Sequence, residues 1–132
     1  MAQNILFELV AAAEEQLNVI KSNEAGFRRV INLATSALRY DRGAFDVRLY
    51  SMRANANSNI GFVGKAISDA TKAIALAPEN PELFLSRAFY YRDCRMYNKT
   101  LDDLDVAIRL GLDDPSLKEL MEEVTKEMLD AK

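Results

Sequence analysis

Apolar residues recur at three- and four-residue steps along almost the whole chain, the spacing that gathers them on one face of an α-helix. Ile5, Leu6, Leu9, Val10, Ala13, Leu17 and Ile20 mark a first helix, and Ser22-Asn23-Glu24-Ala25-Gly26 predicts its end. A second runs through Phe27, Val30, Ile31, Leu33, Ala34, Ala37 and Leu38 and stops near Asp41-Arg42-Gly43. The third covers Phe45 to Asn57, closing in a polar run up to Asn59, and the fourth carries Val63, Ile67, Ala70, Ile74 and Leu76. Pro81 opens the fifth, at a position where a missing N–H is no loss. That helix holds Leu83, Phe84, Ala88, Tyr90 and Tyr91 and fades at Asp93-Cys94-Arg95. The sixth spans Tyr97 to Leu110 with Gly111 as its cap, and the seventh starts at Asp114-Pro115-Ser116 with Leu117, Leu120, Met121, Val124 and Met128 on one stripe. The connections are short, and none is long enough to host a lid or an active-site loop.

The pattern also repeats on a longer scale. Val47 to Asn80 lies over Pro81 to Asp114, with Ala54 on Ala88, Val63 on Tyr97, Ala66 on Thr100, Ala73 on Ala107 and Leu76 on Leu110. A period of this length marks stacked helix–turn–helix units, each of which buries its apolar face only against its neighbours. Such arrays usually bind other proteins.

Composition narrows the chemistry. At 132 residues the chain makes one domain, and with 3 prolines and 5 glycines little interrupts a helical reading. The single Cys94 forms no internal disulfide, which points to a reducing, cytoplasmic or otherwise intracellular setting. The N-terminal stretch lacks a basic leader and is broken by Glu8, so neither a signal peptide nor a membrane span is expected. The net charge of −3 divides unevenly: residues 1–77 hold nine Lys/Arg against seven Asp/Glu, and residues 78–132 hold eight against thirteen. No concentrated basic stripe exists for nucleic acid. With no histidine, no glycine-rich phosphate loop and no cysteine pair, no catalytic residue, metal or cofactor is expected, and the chain does not read as an enzyme. Asp102, Asp103 and Asp105, with Asp113 and Asp114, lack the ligand spacing of a calcium loop and read as a solvated acidic face. Cys94, between Arg92 and Arg95, reads as an incidental thiol. Tyr90, Tyr91 and Tyr97 could stack bases, but two of the three fall on core places of the repeat.

The recurring residues resemble the tetratricopeptide repeat over roughly residues 24–114. That family places small residues at the eighth, twentieth and twenty-seventh positions, an aromatic near the eleventh and proline at the thirty-second. Here they are Ala88, Thr100, Ala107 and Tyr91, with Leu112 in place of proline; one repeat earlier they are Ala54, Ala66, Ala73, Asn57 and Pro78. Small residues at crossings let helix axes approach to about 8–10 Å. The resemblance implies an all-α, right-handed superhelical stack of three such motifs, at about 5–43, 45–80 and 81–114, with a capping helix at about 115–131. The 132 residues then form a single domain of a larger protein.

Tyr50-Ser51-Met52-Arg53-Ala54 and Leu85-Ser86-Arg87-Ala88 look like stretches of heat-shock co-chaperone repeats. Those proteins clamp the terminal carboxylate of an acidic chaperone tail between lysines, asparagines and an arginine. This chain has Met52 at one clamp place and Glu82 and Ser86 at two others. In the first repeat the places fall on Glu15 and Val19, or on Val10 and Glu14 in a second register. Glu82 repels such a ligand, so no useful affinity for acidic chaperone tails is expected. The concave groove is expected to comprise Arg48, Ser51, Met52, Asn55 and Asn59 from the third helix and Leu85, Phe89 and Arg92 from the fifth. That strip suits a peptide or helical segment with a hydrophobic anchor. Phe89 has two readings, contact with a ligand or packing against the seventh helix. The alternative function is self-association through the apolar first helix, giving a homodimer.

Overall fold

The computed structural model describes residues 2–19, 23–40, 43 and 45–132, and the side chains of all of these except 2–4, 18 and 19. The predicted positions Ile20, Ser22, Asp41 and Arg42 lie outside that set. Among the described residues there are seven helices: α1 (Ala2–Val19), α2 (Glu24–Ala37), α3 (Asp46–Asn59), α4 (Val63–Leu76), α5 (Pro81–Asp93), α6 (Tyr97–Arg109) and α7 (Ser116–Asp130). α1 packs on α2, α3 on α4 and α5 on α6; each hairpin leans on the next through α2 against α3 and α4 against α5, and α7 closes on α6. This is the stack of helical hairpins expected from the repeat.

Local chemistry sets the ends. Asn23 caps α2 by accepting a hydrogen bond from the Ala25 amide at 3.0 Å, so the helix starts at Glu24 and Gly26 is buried inside it. The predicted break is therefore shorter than the polar stretch suggests. Asn80 caps α5 in the same way, through the Glu82 amide at 3.1 Å, with Pro81 in the first turn. α3 continues to Asn59: Asn55 and Asn59 face solvent, where the Asn59 side chain donates to the Asn55 carbonyl at 2.8 Å, while Ala56 and Asn57 turn inward.

The two later hairpins turn alike. In the first, the Phe62 amide reaches back to the Asn57 carbonyl at 2.8 Å around Gly61, whose φ is 90°. In the second, the Met96 amide reaches the Tyr91 carbonyl at 2.9 Å around Arg95, whose φ is 60°. Both are left-handed helix endings, and at the second a side chain tolerates a backbone region that glycine adopts without steric cost.

Alanine lies wherever helices cross. Ala54, Ala66, Ala70, Ala73, Ala88 and Ala107 are all buried, and larger side chains fill the remaining space. The largest cluster joins Leu6, Val10 and Ala13 of α1 to Phe27 and Val30 of α2 and to Leu49 and Met52 of α3. A second holds Tyr90 against Ala54, Ala66 and Ala70, and a third joins Ala88, Leu104 and Leu117. Burial, with the charge of Asp93 adding to it, pushes the Tyr90 phenol up to about 12. Tyr90 is thus a core residue, whereas Tyr91 and Tyr97 are half-buried.

Candidate functional site

In a stack of this kind the first helix of each hairpin lines the concave face, and the groove positions divide there by exposure. Arg48 is exposed and pairs with Glu14 of α1 at 2.9 Å, its guanidinium also lying over the Phe45 ring at 5.9 Å. Asn55 and Asn59 are exposed and bonded to each other through their side chains at 3.2 Å. Ser51 is half-buried, and its hydroxyl has no partner among the described residues. Met52 is 6% exposed and belongs to the main core, so it offers no side chain to a ligand in this conformation. Its thioether fills the space between α1, α2 and α3 that the small residues of those helices leave open.

On α5 the strip of Leu85, Phe89 and Arg92 is not uniformly open. Leu85 packs against the cluster of Ala88, Leu104 and Leu117. Arg92 is drawn to α7, where Glu127 accepts from its guanidinium and Glu123 stands at 3.8 Å. The hydrogen bond from Arg92 holds the Glu127 carboxyl below its ordinary range. Phe89 is 43% exposed and outside all three core clusters. Glu82 and Ser86, at two of the clamp places, are also exposed. Of the expected groove positions, Arg48, Asn55, Asn59 and Phe89 are thus exposed, Ser51, Leu85 and Arg92 half-buried and Met52 buried.

The first helix also departs from a uniformly apolar face. Leu6 and Val10 are buried in the core, while Ile5 is 41% and Phe7 62% exposed, the latter in edge contact with Phe45 at 5.3 Å between ring centroids.

Charge inside the stack follows a ladder that the run of aspartates concealed. Arg53 of α3 grips Asp69 of α4 through Nε at 2.7 Å and Nη2 at 2.8 Å, and its Nη1 donates to Thr35 of α2 at 3.1 Å. One repeat on, Arg87 of α5 grips Asp103 of α6 at 2.8 and 2.9 Å and donates to Thr71 of α4 at 3.2 Å. Each arginine ties three helices together. Asp103 is 5% exposed, so the expectation of a wholly solvated acidic face is corrected at that residue. Asp105 instead pairs with Arg109 on the helix surface, and Asp102 is exposed. An arginine and an aspartate on opposite helices of a hairpin leave no mark on helical periodicity. The signal lay in their recurrence one repeat later, Arg53 as Arg87 and Asp69 as Asp103.

No protein-family model matches the sequence, and no curated protein is similar to it. Solved structures do match. The first tetratricopeptide domain of Spaghetti (RPAP3), bound to the HSP90 peptide SRMEEVD, superposes with a TM-score of 0.81 at 13% identity, covering 96% of this chain and 94% of that one. The Arabidopsis OM64 tetratricopeptide domain gives 0.80 at 17%, covering 96% and 98%. The Yersinia enterocolitica secretion chaperone SycD, in complex with a peptide of the translocator YopD, gives 0.72 at 16%, covering 96% and 92%. At such identities the likeness is one of fold, and it agrees with the repeat residues of the sequence: this chain has the fold of a tetratricopeptide-repeat domain.

Proposed function

We propose that the chain is a protein-interaction module that takes a peptide or helical segment of a partner in its concave groove, without a carboxylate clamp. The exposed Phe89 carries the reading: this aromatic residue is 43% exposed, while Leu85 packs into a core cluster and Arg92 is held by α7. An exposed aromatic ring suits a hydrophobic anchor rather than an acidic terminus. Peptide complexes of similarly folded domains, RPAP3 with the HSP90 peptide SRMEEVD and SycD with a YopD peptide, support a peptide as the ligand, while the hydrophobic anchor rests on Phe89 alone. Glu82, Ser86 and the buried Met52 support the exclusion of chaperone tails.

Affinity capture tests it. Phe89→Ala is expected to weaken partner retention about 30-fold, the effect of removing a hot-spot aromatic, while the melting temperature stays within a few degrees. Equal retention by both proteins defeats the groove assignment. In the same preparation a peptide ending in Glu-Glu-Val-Asp is expected not to saturate the domain, and low-micromolar binding would overturn the non-clamp reading.

The exposure of Ile5 and Phe7 favours a second reading, self-association through α1. The variant that probes it is Ile5→Glu, because Leu6→Glu would place a charge in the core. A light-scattering mass of one chain at high concentration discards this reading.

A further inference from the structure

On the face opposite the groove, α2 and α4 stand apart over a cleft of about 270 Å³ floored by Arg53 and Asn57 of α3. The repeats differ at one of its floor positions. The place of Asn57 is taken one repeat later by Tyr91, whose ring is covered by the Arg87 guanidinium at 5.5 Å and the Lys99 ammonium at 5.6 Å. At Asn57 no ring occupies that place.

We propose that this cleft binds a phosphate-type dianion through Asn57, Lys65, Ser68 and Lys72. Asn57 is only 4% exposed and lines the cleft, yet its carboxamide makes no hydrogen bond among the described residues. The carboxamide is not one of the enclosed polar atoms that lack a partner, so it stays open to the cleft with its donors available to a bound acceptor. Arg53 is already committed to Asp69 and Thr35 and contributes no uncompensated charge. Lys65 and Lys72 differ: neither forms an ion pair among the described residues. Both residues line the cleft, and their ammonium groups rest on the rings of Phe62 at 5.0 Å and Tyr50 at 5.7 Å, from which a flexible side chain can swing to a bound anion.

Two uncompensated lysines match a phosphate monoester, which carries about −1.5 to −2 at pH 7 and three strong acceptor oxygens. The amide of Asn57 and the hydroxyl of Ser68 supply further donors. A single carboxylate would neutralise one lysine and leave the other unmatched. The phosphate could be a free ion or be borne on a modified side chain, and the chemistry of recognition is the same.

Amide chemical-shift titration at constant ionic strength decides the matter, using inorganic phosphate, a blocked phosphoserine and succinate. The expected result is saturation by phosphate or phosphoserine in the low millimolar range or tighter, with the largest shifts at Asn57, Lys65 and Ser68. Tighter binding of phosphoserine assigns a residue-borne ligand, and equal binding assigns the free ion. Asn57→Tyr fills the cleft as the next repeat does, and is expected to weaken binding at least tenfold. Lys65→Gln with Lys72→Gln leaves the core untouched and is expected to do the same without altering the melting curve. Shifts that spread over every surface lysine without saturating overturn the proposal. So does undiminished binding to either variant, or succinate binding as tightly as phosphate.

Discussion

Replacing Asp103 by Ala is expected to destabilise the domain by about 3–5 kcal/mol, the cost of breaking a buried pair by removing one partner. The side chains of Arg87 and Asp103 are 17% and 7% exposed, and the contact is bidentate across α5 and α6. Removing the carboxylate strands a guanidinium whose Nε and Nη2 have no other acceptor within the described contacts, in a place water reaches poorly. For a chain of 132 residues this corresponds to a fall in melting temperature of roughly 10 °C or more. The control is the double variant Arg87→Met with Asp103→Leu, expected to recover most of the loss because two apolar chains of similar size leave nothing unpaired. Asp69→Ala should repeat the result one hairpin earlier, since Arg53 and Asp69 are equally enclosed at 18% and 5%. Chemical denaturation of the wild type and the three variants compares them. A loss under about 1 kcal/mol for Asp103→Ala would class the ladder with ordinary surface pairs.

Ala88→Leu is expected to cost about 1–3 kcal/mol through overpacking. Ala88 is 1% exposed and sits in the cluster with Leu104 and Leu117, so three added carbons must push into two neighbouring helices at once. The adjacent Phe89 makes the contrast: truncating a ring that is 43% exposed should barely move the melting curve. A one-residue error in the register would exchange these two outcomes. A neutral Ala88→Leu would therefore remove the basis on which every groove position was assigned.

The helices were legible because helix formation is a local matter. Spacings of three and four residues, Asn23 and Asn80 at helix starts, and Pro81 in a first turn mark elements through contacts a few residues apart. The repeat supplied the stacking, since a unit that recurs with its alanines in register packs against its own kind. What the pattern misjudged were residues whose polarity disagrees with their surroundings. Asp103 reads as one acid in an acidic run and is enclosed by Arg87. Met52 falls on a groove position by counting and turns into the core. Asn57 departs from the aromatic of the next repeat, but the cleft it floors exists only between helices that the chain brings together from a distance.

By itself, then, the sequence determined the seven helices of the described residues and their pairing into a stack. These follow from short-range spacing and from a period that can be counted. The tertiary structure alone decided which groove positions stay open, with Phe89 exposed and Arg92 held by α7. It also decided where buried charge is paired and where a cleft opens between helices. Exposure and pairing depend on which side chains arrive from helices many residues away, and helical periodicity records which face a residue occupies, not what meets it there.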